Sequence, residues 1–239
     1  MATIEKKQER AIPGNVNRFK LVGNLIGVED GKAVVETKMV SMATGKTYVD
    51  QYPIELSKDL AEKLCDLSGS TVGVIGYVDH PTGSADSHLV ALDVKSQSNA
   101  MHFNRLQLTG PIYGADIMSR KEGKRQMGNV SFVIASRMIN AVTWRGAVTE
   151  LRDSKVRRDS VITLKGRVRI REYESQGDLH KTVELICDQS GDVEVHYVPP
   201  SGGDDEFGFD DAQAVPAAMV SAPAAASGRS ASRRGRAAV

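Results

Sequence analysis

The segment Lys165-Gly-Arg-Val-Arg-Ile-Arg-Glu-Tyr173 places a cation or an aromatic ring at every second position. On a strand, successive side chains point to opposite faces. Lys165, Arg167, Arg169, Arg171 and Tyr173 then share one face, and Val168 and Ile170 the other. Cations in such a row suit the phosphates of a single-stranded polyanion. An aromatic ring beside them can stack on bases, at about 1–3 kcal/mol per base. The plainer alternative is an edge strand kept soluble by its charge. No carboxylate follows these cations along the chain before Glu172, which favours the nucleic-acid reading.

Other aromatic and basic residues extend this chemistry. Trp144, the one tryptophan, is followed by Arg145, and stacking on bases and packing in a core are equally open to it. Arg105 lies on the polar side of an alternating segment, opposite Leu106 and Leu108 in phase. Tyr77 sits at the outward phase of another. Tyr48 and Tyr52 share a face, where cross-strand packing and base contact compete. The acidic run Asp204, Asp205, Glu206, Phe207, Phe209, Asp210 and Asp211 has aromatics embedded in carboxylates. That suits a short docking motif, with rings in a pocket and acids on its basic rim. A merely solubilising segment is the alternative.

Signals for catalysis are weak, and no catalytic residue is assigned. Thr44-Gly-Lys-Thr47 lacks the first glycine of a phosphate loop, because Val40 stands there. His80, His88, His102, His180 and His196 have no nucleophile or metal partner at a known spacing. The acidic run lacks calcium-loop spacing. No metal site and no cofactor are expected.

The elements that must position these residues come in two copies. Asn17-Arg-Phe-Lys-Leu-Val-Gly-Asn-Leu-Ile-Gly27 matches Asn104-Arg-Leu-Gln-Leu-Thr-Gly-Pro-Ile-Tyr-Gly114. Ser70–Val78 matches Ser160–Val168, and His88–Ser98 loosely matches His180–Ser190. Three blocks in one order indicate a duplicated domain of roughly 90 residues. Period-two alternation predicts strands in each copy. The first copy has them near 17–27, 33–39, 47–56, 71–78 and 88–96. The second has them near 104–114, 129–137, 139–148, 161–173 and 179–186. Gly23 and Gly110 allow a bend or bulge in the opening strands. Ser57 caps a helix carrying Leu60, Leu64 and Leu67, and residues 148–156 hold its less regular counterpart. Strand-strand-strand-helix-strand-strand is the order of an OB-fold barrel, though another five-stranded domain could give the same string. The expectation is an all-β protein with one short helix per domain.

The organisation expected is an N-terminal arm (1–13), a first OB domain (14–99), a second (100–198) and a disordered tail (199–239). In the tail, 25 of 41 residues are Ala, Gly, Pro or Ser, too few apolar groups to offset ordering entropy. Residues 14–99 hold 8 basic against 11 acidic side chains, and residues 100–198 hold 16 against 12. The second domain is therefore the better binder of a polyanion. At 41% apolar and 26% charged, with no apolar run of spanning length and no secretory pattern, the chain reads as a soluble cytoplasmic protein. The two cysteines, Cys65 and Cys187, read as buried thiols in a reducing compartment.

Residues 103–188 resemble the bacterial and phage single-stranded DNA-binding proteins of the OB-fold type. The resemblance rests on Asn104–Gly110, the surroundings of Trp144, Asp159-Ser160, Lys165–Tyr173, a turn at Gly177 and Lys181–Leu185. It implies sequence-independent binding of single-stranded DNA during replication, recombination or repair. Trp144 and Tyr173 would take base-stacking positions, and the arginines before Tyr173 would hold phosphates. The acidic segment would recruit replication or repair proteins. That family commonly carries one OB domain per chain and assembles as a tetramer. Two domains here would let a dimer present four. Its acidic motif normally ends the chain, whereas 28 residues follow Asp211 here, four of them arginines. The competing readings are an accessory factor whose OB domains dock proteins, and an RNA-binding protein.

Overall fold

The computed structural model describes residues 12–40, 45–98, 100–118, 127–175 and 177–200. Most of the N-terminal arm, nearly all of the tail and the acidic segment 204–211 lie outside them.

Among the described residues are eleven strands and two helices, and ten of the strands and both helices follow the expected order. The first barrel comprises β1 (Val16–Glu29), β2 (Lys32–Val40), β3 (Thr47–Glu55), α1 (Lys58–Cys65), β4 (Thr71–Asp79) and β5 (His88–Ser96). The second comprises β6 (Phe103–Met118), β7 (Met127–Ile134), β8 (Arg137–Trp144), α2 (Arg145–Asp153), β9 (Val161–Ser175), β10 (Asp178–Cys187) and β11 (Val193–Tyr197). These are two tandem OB-fold barrels.

Each barrel closes in the same way. The long first strand pairs with β4 through Phe19–Asn24 and with β2 through Asn24–Glu29. Asn24 pairs with both, and at the adjacent Gly23 a Cβ would lie 2.2 Å from the Glu36 carbonyl oxygen. Parallel pairing of β3 with β5 completes the ring. In the second barrel β6 pairs with β9 and β7, and β8 runs parallel to β10. Both interiors are filled by the inward phases of the strands, among them Phe19, Leu21, Leu106, Leu108, Val168 and Leu185. Ser57 Oγ accepts the Leu60 N–H, and Leu60 and Leu64 turn the apolar face of α1 inward.

Three expectations on the second copy are corrected. Its second strand stops at Ile134 rather than 137, because Ala135 and Ser136 both take positive φ and make a two-residue hairpin turn. Its third strand stops at Trp144 rather than 148. Arg145, at φ 49°, turns the chain into α2, whose Ala147, Val148 and Leu151 are buried. The fifth-strand hairpin is followed by a strand that alternation did not mark: β11 pairs with β9 as an extra edge. Cys65 is also corrected. It is exposed, one position past the inward-facing Leu64, whereas Cys187 is buried and its thiol is pushed up to about 12, chiefly by burial.

The barrels join through β1 and β6, which pair antiparallel from Val16 opposite Thr109 to Val22 opposite Phe103. At the centre of this register Phe19 faces Leu106, its own counterpart in the repeat. A pseudo-twofold axis therefore passes between them, and repeat-equivalent contacts recur on either side. The Asn17 amide accepts the Val78 N–H at 3.0 Å and donates to the Val78 carbonyl at 2.8 Å. The Asn104 amide does the same for Val168, at 2.8 and 3.0 Å.

A second seam is polar. Asp86 accepts the Lys181 N–H at 2.8 Å, and Ser87 Oγ accepts the Val183 N–H at 2.6 Å. Asp79 pairs with Arg137, and the His80 ring lies 2.6 Å from the Met138 carbonyl oxygen. Among the described residues no helix is long and apolar enough to cross a membrane.

Candidate nucleic-acid interface

β9 carries the cation row. Its pairing with β10 runs without a shift from Arg167 opposite Ile186 to Ser175 opposite Asp178. Arg167, Arg169, Arg171 and Tyr173 therefore lie on one side, while Val168 enters the core and Ile170 packs against it. Lys165 continues the row toward β6, opposite Gln107.

The absence of carboxylates, read along the chain, does not hold across strands. Glu184 on β10 stands directly opposite Arg169. Its Oε2 accepts from Arg169 at 2.7 Å, and its Oε1 lies 3.6 Å from Arg171. Glu184 is only 5% exposed. Glu194 on β11 pairs with Lys165, and that hydrogen bond holds its carboxyl below the usual range. Arg105 pairs with Asp192 at 2.9 Å. Arg167 is exposed and makes no ion pair among the described residues. Alternation could have placed Glu184 outward, between the inward Val183 and Leu185. Only the strand register shows that it faces Arg169.

The aromatic residues separate. Tyr173 is half-buried at the polar seam. Its hydroxyl donates to the Ala85 carbonyl at 3.3 Å, its ring centroid is 5.4 Å from that of His180, and the Arg171 guanidinium lies 5.9 Å from it. Trp144 is half-buried at the end of β8, opposite Met127, with Arg145 exposed beside it. Tyr173 faces the start of β10, while Thr143 pairs with its last residue, Cys187. Trp144 and Tyr173 thus sit toward opposite ends of β10, on the order of 20 Å apart at about 3.3 Å per residue. Tyr77 is half-buried on β4.

Tyr52 is corrected. It is 3% exposed, in the seam between barrels, not on a binding face. Its hydroxyl accepts from the Asn104 amide at 2.7 Å and donates to the Val168 carbonyl at 3.3 Å. Burial, first of all, pushes that hydroxyl up to about 12. The exposed aromatic of the β2–β3 hairpin is instead Tyr48, at 52%, opposite Met39. The two tyrosines share a strand phase, so alternation could not tell the one that barrel packing covers from the one it leaves open.

Two hollows lie near these residues. One, of about 600 Å³, runs between the barrels, lined by Val34, Gln51, Pro53, Ile170, Glu172 and Lys181. The other, of about 290 Å³, lies on the β1–β6 sheet and is bordered by Arg18, Lys20, Arg105 and Phe103.

No family model matches the sequence, and no curated protein matches it. Solved structures do. The wild-type single-stranded DNA binding protein from Thermus aquaticus matches at TM-score 0.58 and 14% identity, over 79% of this chain and 96% of that one. A deletion mutant of the same protein matches at TM-score 0.54 and 15% identity, over 79% and 98%. The chain has the tandem-barrel fold seen in that Thermus protein.

Proposed function

We propose that this chain binds single-stranded DNA without sequence preference, with its second barrel as the main contact. The observation that carries the reading is the row Arg167, Arg169, Arg171 and Tyr173 on one side of β9. Likeness in fold to a single-stranded DNA binding protein supports it. Lys165, Arg105 and Arg145 extend the positive field, and Trp144 and Tyr173 supply stacking rings at the two ends of β10. Tyr77 would serve the first barrel. Binding is non-catalytic: cations release counterions, rings stack, and affinity falls with salt. The acidic segment 204–211 would recruit replication or repair proteins, and a dimer would present four barrels in the cytoplasm.

The test is a titration of Trp144 fluorescence with oligo-dT at two salt concentrations, beside duplex DNA and oligo-U. Salt-sensitive binding to oligo-dT with quenching is expected. Preference for oligo-U would turn the reading to RNA. No binding at low salt would overturn it and leave the barrels as protein-docking modules.

A further inference from the structure

We propose that Glu184 and Glu194 are built-in phosphate surrogates on the β9 row. Nucleic acid would then bind by taking cations from carboxylates rather than by adding to bare ones. The inference rests on the DNA-binding reading above.

A single carboxylate serves two guanidinium groups: Glu184 holds Arg169 at 2.7 Å and stands 3.6 Å from Arg171. Two arginines sharing one anion is also an arrangement they could make on a phosphate. The exposures are unequal. The Glu184 side chain is 6% exposed, against 42% for Arg169 and 30% for Arg171. The acid is thus fixed beneath, and the guanidinium groups reach past it toward solvent. They can turn outward while the acid stays. At the other pair the order reverses: Glu194 is 50% exposed and Lys165 27%, so the acid is the group that swings away. Arg167, with no ion pair among the described residues, is the cation open to the first phosphate.

The carboxylates pre-neutralise the row. A cation already paired with a fixed anion displaces fewer counterions when it meets a phosphate. Its share of the salt dependence, about 0.7 per contact on a single strand, is then muted.

The test uses the full chain, oligo-dT and a series of salt concentrations, comparing wild type with Glu184→Gln and Glu194→Gln. Glutamine keeps the shape and an acceptor oxygen but removes the charge. Both variants are expected to bind more tightly at low salt. The slope of log affinity against log salt should steepen by up to about 0.7 in either variant, since each loses one negative charge. Wild-type or shallower slopes in both natively folded variants would overturn the surrogate role while leaving the DNA-binding reading intact. Failure of the wild-type chain to bind oligo-dT would overturn that reading, and this inference with it. Glu194 stands half-exposed on an edge strand, so its variant decides the matter even if Glu184→Gln does not fold.

Discussion

At the residue scale, Tyr52 shows how a polar side chain enters a core. Its hydroxyl is out of water but keeps two partners, the Asn104 amide and the Val168 carbonyl. Burial of a polar group is tolerated when its hydrogen bonds are made. Tyr52→Phe removes the hydroxyl, yet Asn104 still donates to Val168 at 3.0 Å. The loss should therefore stay near 1 kcal/mol, with an unchanged denaturant slope. Urea unfolding of the two proteins measures it, and equal midpoints would show that this bond adds nothing to the seam. The chemistry of such residues was legible in the sequence, and their surroundings were not. The cations of β9 could be read from their spacing. Glu184 opposite Arg169, and the barrel over Tyr52, depend on register and packing that no local pattern encodes.

At the element scale, the loop between β4 and β5 works as a clip. Asp86 accepts the Lys181 N–H at 2.8 Å and lies 3.4 Å from His180. The Lys181 bond, first among the causes, holds the Asp86 carboxyl below the usual aspartate range. A carboxyl whose value is lowered by folding stabilises the folded state above its unfolded value, and that contribution is lost as pH falls through the carboxylate range. Stability should therefore decline on acidification. Asp86→Asn should lower stability at neutral pH and flatten that decline. Denaturant unfolding at several pH values reads both, and an equally steep decline in the variant would remove Asp86 from the account. Elements with a strong period were legible: α1 with its Ser57 cap, and the β-strands carrying repeat motifs. β11 was not, since five residues of mixed exposure give alternation too little length to register. Nor was the end of β8, because Arg145 leaves the strand at a positive φ that its type does not advertise.

At the scale of the whole molecule, the duplication seen in sequence becomes a pseudo-twofold axis. The repeat predicted two barrels, but nothing in it announced that β1 and β6 would pair about Phe19 and Leu106. That pairing is a consequence of two similar strands meeting edge to edge. It places Lys20 opposite Arg105, a like-charge pair that costs a little. A fragment of residues 100–200 would lose β1 and leave the β6 edge open, and open edges seek partners. In a second copy paired about Leu106, Arg105 would face Gln107 and Phe103 would face Thr109. The like-charge opposition would disappear, while the central apolar contact would be kept. The fragment is therefore expected to dimerise through β6, by light scattering on a size-exclusion column. Gln107→Lys, on β6 but outside the barrel core, would set a lysine opposite Arg105 on both sides of that axis and should shift the fragment toward monomer. A wild-type fragment that stays folded and monomeric at high concentration would mean that the two barrels are held chiefly by the Asp86 clip and the Tyr52 seam, with strand pairing secondary.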